Sequence, residues 1–152
     1  MRSIKDLKAE LDRVNRELKS VISASKYHYY DDLSGLECDT SDPEQLFIRE
    51  ELKSVMYELD KVSYNLSYLN QPIAHEGILY KLDNGRYACD GCELSSGYGL
   101  EVLVYDEYEG RYIWVATRVE HNGDDYYLVG MRETPLAGTK ARIRERISNG
   151  GY

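Results

Sequence analysis

The spacing of aliphatic residues changes near Pro72, and this change limits the folds open to the chain. Ahead of the proline, Ile4, Leu7, Leu11, Val14, Leu18 and Val21 fall at alternating intervals of three and four, as do Ile48, Leu52, Val55, Leu59, Val62, Leu66 and Leu69. That is the a/d seam of a helix. Behind it, apolar residues alternate by two, the period of a strand with one buried face. The sequence therefore predicts an α+β chain. Residues 1–72 form an antiparallel, coiled-coil-like helical hairpin, residues 73–146 a small antiparallel β-barrel of the SH3-like kind, and residues 147–152 a frayed tail.

Local signals mark the ends of both helices. Ser3 with Asp6 three residues on makes a capping-box-like start, and the first helix runs to about Tyr30, where Asp31-Asp32 open an acidic loop. The second starts at Asp42-Pro43-Glu44-Gln45, with Asp42 as N-cap, Pro43 in the first turn and Gln45 completing a capping box, and it ends at Gln71-Pro72. Each helix is about 27 residues, roughly 40 Å long, and a short connection favours an antiparallel pair. One seam of the second helix pairs with the first. Tyr57, Tyr64 and Tyr68 lie on the opposite side as a stripe that either stays wet or meets the β domain or another subunit.

In the β region, Gly77–Leu82 and Arg86–Cys89 read as a hairpin about a type I′ turn at Asn84-Gly85. Strands follow at Leu100–Tyr105, Tyr112–Glu120, Tyr126–Met131 and Thr139–Arg144, separated by turns at Glu109-Gly110 and Asn122-Gly123.

Composition bears on function through tyrosine and charge. The chain has 15 Tyr against one Phe and one Trp. Tyrosine offers a large contact area with a polar tip and little rotamer entropy to lose, so a surplus suits interfaces. The formal net charge of −8 disfavours direct contact with nucleic acid or an anionic membrane and suits a basic protein surface, or plain solubility. No apolar run approaches a membrane span. Three cysteines and a charged start without a secretion signal suggest the bacterial cytosol.

No catalytic motif stands out, and neither a cofactor nor a metal is expected. Cys89-Asp90-Gly91-Cys92 supplies one knuckle where a structural zinc wants two, and redox work wants the pair at a helix start. Cys89 and Cys92 are the sole metal candidates, and a turn with two small residues is the plainer reading. Lys140, Arg142 and Arg144 share one face of the last strand; with Arg118 they are the candidates to hold phosphate, or the row guards an exposed sheet edge. The turns Asp106-Glu107-Tyr108-Glu109 and Asp124-Asp125-Tyr126 set carboxylates beside phenol rings, a composition that SH3-like loops use to bind peptides and cations.

Between Gly77 and Ile143, the pieces Gly85-Arg86-Tyr87, Leu100-Glu101-Val102-Leu103, Trp114-Val115-Ala116-Thr117-Arg118-Val119-Glu120 and Tyr127-Leu128-Val129-Gly130 resemble a bacterial family, domain of unknown function 5348. Gly91 with Glu93-Leu94, Leu136 with Gly138, and Arg142-Ile143 extend the likeness, which leaves the helices out. The resemblance implies a compact β domain and a phage or mobile-element setting, with no chemistry attached.

Charge and setting together point to a non-enzymatic interaction protein, in its concrete form an inhibitor of a host defence nuclease of the CRISPR type. It would mask a basic groove with Tyr57, Tyr64, Tyr68 and the two acidic turns. The alternative is a small-molecule or nucleotide-sequestering protein that uses tyrosine stacking and the arginine row. A thin two-helix core leads to a homodimer as the expected assembly.

Overall fold

The computed structural model describes residues 2–28 and 31–147. It divides into two compact units that meet in sequence between Asn70 and Gln71. The first contains α1 (Ile4–Ser25) and α2 (Pro43–Tyr68), and no strand precedes Pro72 among the described residues. Ser3 Oγ accepts the Asp6 N–H at 3.1 Å and opens α1, while the Asp6 carboxylate takes the N–H of Arg2. Asp42 caps α2 by accepting from Glu44 N at 3.0 Å, and Pro43 occupies the first turn. Gln45 does not close a box with Asp42; its Oε1 takes the Asp39 N–H at 2.8 Å and ties down the preceding turn instead. Lys26 ends α1 in a left-handed conformation, φ 55°, sooner than the aliphatic spacing implies. Tyr30, the expected end of that helix, lies outside the described residues, as does the tail beyond Ile147.

The two helices run antiparallel. Asn70, just past the end of α2, bonds both Lys8 and Asp12 near the start of α1, and Asn15 Nδ2 donates to Ser67 Oγ at 3.2 Å. The surfaces they press together differ from the expected ones. Asn15, Ile22, Met56, Ser63 and Ser67 are buried between them, whereas Leu7, Leu11, Val14, Val21, Ile48, Leu52, Val55, Val62 and Leu69 all keep 37–53 % of their surface exposed. Viewed down the helix axes, the buried positions lie about 75–95° round from the aliphatic ones at 100° per residue. The seam is therefore one open face of a two-helix ribbon and not the joint within it.

The second unit is all β: β1 (Ile73–Ile78), β2 (Tyr80–Lys81), β3 (Tyr87–Cys89), β4 (Cys92–Leu94), β5 (Gly99–Asp106), β6 (Arg111–His121), β7 (Tyr126–Leu128) and β8 (Lys140–Arg144). Neither of its sheets closes on itself: one has five strands in the order β1-β8-β5-β6-β7 and the other three in the order β2-β3-β4. The expected barrel is thus seen as an open sheet beside a small meander. Its core gathers Leu79, Leu94, Leu100, Val102, Val119, Leu128, Ala141 and Ile143, each at most 3 % exposed. On β8, Ala141 and Ile143 point inward, which turns Lys140, Arg142 and Arg144 to the outer face as the alternation predicts.

The turns also redistribute. The Asn84 backbone is not left-handed, so Asp83-Asn84-Gly85 forms a longer loop with only Gly85 at φ 85°. The two-residue turn with both residues left-handed is Asp90-Gly91, at φ 48° and 77°, and it joins β3 to β4.

Candidate functional site

The outer side of the five-stranded sheet carries the most distinctive surface of the β unit. β5 and β6 pair in register from Gly99↔Arg118 to Asp106↔Arg111. Strand alternation therefore puts Leu103, Tyr105, Tyr112 and Trp114 on one face. Tyr105 and Tyr112 are cross-strand partners, with ring centroids 5.4 Å apart and edge-on at 73°. Such a contact contributes about 0.5–1.5 kcal/mol beyond burial. The turn beyond them is braced from within: Asp106 Oδ1 accepts from Glu109 N and the Asp106 carbonyl from Gly110 N, both at 2.8 Å. Gly110 takes φ 65°, where a side chain would be strained.

This bracing leaves Tyr108 96 % exposed at the apex, with Tyr112 at 67 % and Tyr105 at 56 %. Three phenol rings thus share a hairpin end with the carboxylates of Asp106, Glu107 and Glu109. Rings attract cations at their faces and the acids add Coulombic pull, a combination with the chemistry to attract Lys or Arg side chains. Of this group, Tyr105, Tyr112 and Trp114 escaped sequence reasoning. Their matched alternation on either side of Glu109-Gly110 is the signal that reveals them.

The base of the same face is an ionic cluster. Glu101, 5 % exposed, receives Arg142 at 2.7 Å from Nη2 and 2.8 Å from Nε, and Arg144 Nε at 2.5 Å. Arg144 also donates to the Gln71 carbonyl at 2.9 Å, and the Arg142 guanidinium lies 4.1 Å from the Trp114 ring. Two of the four phosphate candidates are therefore directed at an internal carboxylate. Arg118 donates to Glu120 at 3.0 Å, and Lys140 is exposed.

The second acidic turn is architectural. Asn122 Oδ1 accepts from both Asp124 N and Asp125 N, and Asp125 in turn binds Tyr126 N at 2.7 Å, Lys81 Nζ at 3.2 Å and Tyr87 Oη at 3.3 Å. The Tyr126 amide, followed by the Lys81 ammonium and the Tyr87 hydroxyl, holds the Asp125 carboxyl below the usual range. Tyr126 packs edge-on against Tyr87 and His121. Of the two acidic tips, only the one around Tyr108 projects freely.

Cys89 and Cys92 are the facing residues at the Asp90-Gly91 turn. The Cys89 thiol is wholly buried beside the Ala141 carbonyl, and burial pushes its pKa up, opposite to what a nucleophile or thiolate ligand needs. Cys92 Sγ touches Tyr98 Oη at 3.4 Å. Among the described residues no group of three or more His, Cys, Asp and Glu is placed to hold a metal ion. In the helical unit, Tyr57 and Tyr68 are half-buried and Tyr64 is 57 % exposed. Lys61 Nζ sits 5.1 Å from the Tyr57 ring, which also borders a shallow hollow with Tyr27, Asp31 and Asp32. The Tyr stripe therefore follows the line expected of it, although its members differ in how far they reach solvent.

Residues 76–143 match the model of a family described as Domain of unknown function (DUF5348). The match begins within β1 and ends within β8; it takes in the hairpin tip and Glu101 with Arg142, while Arg144 and the helical hairpin lie outside it. No curated protein and no solved structure matches the chain. No helix among the described residues is long and apolar enough to cross a membrane.

Proposed function

We propose that this chain is a non-enzymatic interaction protein whose β unit recognises a basic protein surface through the β5–β6 hairpin end. The observation that carries the reading is the exposure of Tyr105, Tyr108 and Tyr112 among Asp106, Glu107 and Glu109 on a turn braced by its own backbone. A preformed tip loses little entropy on binding, and aromatic residues in contact with Arg and Lys are the usual anchors of protein interfaces. Its concrete form is an inhibitor of a CRISPR-type defence nuclease, carried by a phage or mobile element and acting in the bacterial cytosol. The partner's nucleic-acid groove supplies the basic surface. Nucleotide sequestration, the other reading, would have to rely on Lys140 and Arg118, because Arg142 and Arg144 face Glu101.

The test is capture from host-cell lysate on the immobilised full chain, beside a Tyr105→Ser/Tyr108→Ser/Tyr112→Ser variant. A nucleic-acid-binding protein is expected on the parent chain at low salt, released at about 0.5 M salt where screening is nearly complete and at least tenfold depleted on the variant. Equal retention of every captured protein by parent and variant would overturn the reading.

A further inference from the structure

The open aliphatic face of the helical unit has no role in the hairpin-tip reading. It is contiguous across both helices: with α1 and α2 antiparallel, the stripes through Val14 and Val55 lie on the same side of the ribbon. The exposures of its nine aliphatic side chains leave on the order of 650 Å² of apolar surface, at the upper end of what monomers usually leave open and somewhat below what one partner contributes to a standard interface. On α2 the stripe continues past the end of α1 into a pocket of about 150 Å³, where Ile48 and Leu52 meet Leu33 and Leu36 of the connection. The hollow is open to solvent, is also lined by Glu37, Gln45 and Arg49, and has about the volume of a benzene-sized group.

Charge selects among the occupants. The positions bordering the stripe on its outer sides are Glu10 and Glu17 on α1 and Glu51 and Glu58 on α2, all exposed, with Glu10 paired to Arg13 at 2.8 Å and Glu58 to Lys61 at 3.4 Å, so the rim stays net acidic mainly through Glu17 and Glu51. A second copy laid face to face sets one carboxylate rim on another in either two-fold arrangement, α1 on α1 or α1 on α2. A single helix laid along the groove instead brings its own flanking residues against both rims at once. We propose that this face is the docking groove for one amphipathic helix of a partner protein, at least four turns long, with Lys or Arg on both sides of its apolar stripe and one large apolar side chain seated in the Leu33–Leu36 pocket. Four turns span about 22 Å, close to the overlap set by the Asn15–Ser67 and Asp12–Asn70 contacts, in which residues 12–25 lie alongside residues 57–70.

The experiment uses the full chain and three labelled synthetic 20-residue peptides: leucine at the a and d positions with lysine at e and g, the same stripe with glutamate at e and g, and a scrambled version of the lysine peptide. Anisotropy titrations are expected to show saturable binding of the lysine-flanked helix, at least tenfold tighter than the other two. Val55→Asp should abolish that binding, and Glu17→Lys/Glu51→Lys/Glu58→Lys, all on the solvent side, should move the preference to the glutamate-flanked peptide. Equal binding of the lysine and scrambled peptides, or no binding of any, would overturn the proposal. So would light scattering that returns a dimer at micromolar concentration, dissolved by Val55→Asp, because the occupant would then be a second copy. None of these results depends on the hairpin tip, so the two readings stand or fall separately.

Discussion

Glu101 shows how a charged residue becomes part of a fold. It is among the least exposed polar residues described, and two guanidiniums converge on it within 2.8 Å. Removing one member of a buried ionic group leaves its partners uncompensated, at a cost of about 3–5 kcal/mol, whereas exchanging the whole group for apolar residues of similar volume is often close to neutral. Glu101→Ala is therefore expected to lower the stability of the β unit by about 3 kcal/mol, the low end because both arginines keep some contact with water. Glu101→Leu/Arg142→Met/Arg144→Leu should recover most of it, with urea unfolding followed by Trp114 fluorescence as the measurement. Asp125 gives a pH prediction. Its pKa is lower folded than unfolded, so across the acid range the unfolded chain binds the extra proton. The stabilisation it provides is complete above the ordinary carboxylate value of 3.8 and is lost as pH falls through the depressed one. Asp125→Asn should flatten the slope of stability against pH below about 4 and leave stability near pH 7 lower than in the parent.

At the level of the element, the α1 terminus is one of two places in the described helical unit, with Leu33, where a residue other than glycine is left-handed. Lys26 holds φ 55° while its N–H bonds Ile22 and Ser23 carbonyls, a position where glycine carries no steric penalty. Lys26→Gly is expected to raise the stability of the helical unit by about 0.5–1 kcal/mol, the steric gain being partly offset by glycine's greater freedom when unfolded; thermal melting followed by helical circular dichroism measures it. The elements themselves were legible in the sequence because their signals are local: Ser3 and Asp42 cap, Pro43 starts a helix, and alternation exposes β5, β6 and β8. What was not legible is which face each element turns to its neighbour. A three-four aliphatic spacing is produced equally by a seam between helices and by the open side of a ribbon, and the true joint is written in Asn15, Ser63 and Ser67, which look like surface residues. β1 was read too late because its inward positions include His75 and Gly77, and its pairing with β8 lies far away in sequence. β4 hid inside a cysteine motif that proved to be a strand end on either side of a two-residue turn. At the candidate site, the acidic turns could be located from the sequence, but only hydrogen bonds show that Asp125 is committed to its neighbours while Tyr108 is not.

The molecule as a whole joins a unit with a substantial core to one with a slight core: eleven buried side chains cluster in the β unit, against Ile22, Tyr27, Leu33 and Met56 in the helical one. Stability follows buried apolar area, so chemical denaturation is expected to proceed in two steps. Helical circular dichroism should fall at lower urea than fluorescence of Trp114, the single tryptophan, which reports on the β unit. Coincident curves from the two probes would show one cooperative block instead. The open five-stranded sheet has a further consequence. A sheet with two free margins ordinarily offers its backbone as a template on which other chains can add and grow into fibrils. Here one margin, β7, is three residues long, and the other, β1, loses register between Ile73 and His75. Neither makes a good template, so the sheet margins should not seed fibrils when the protein is concentrated, and a molecule that recognises this sheet is expected to read its side chains more than its amides.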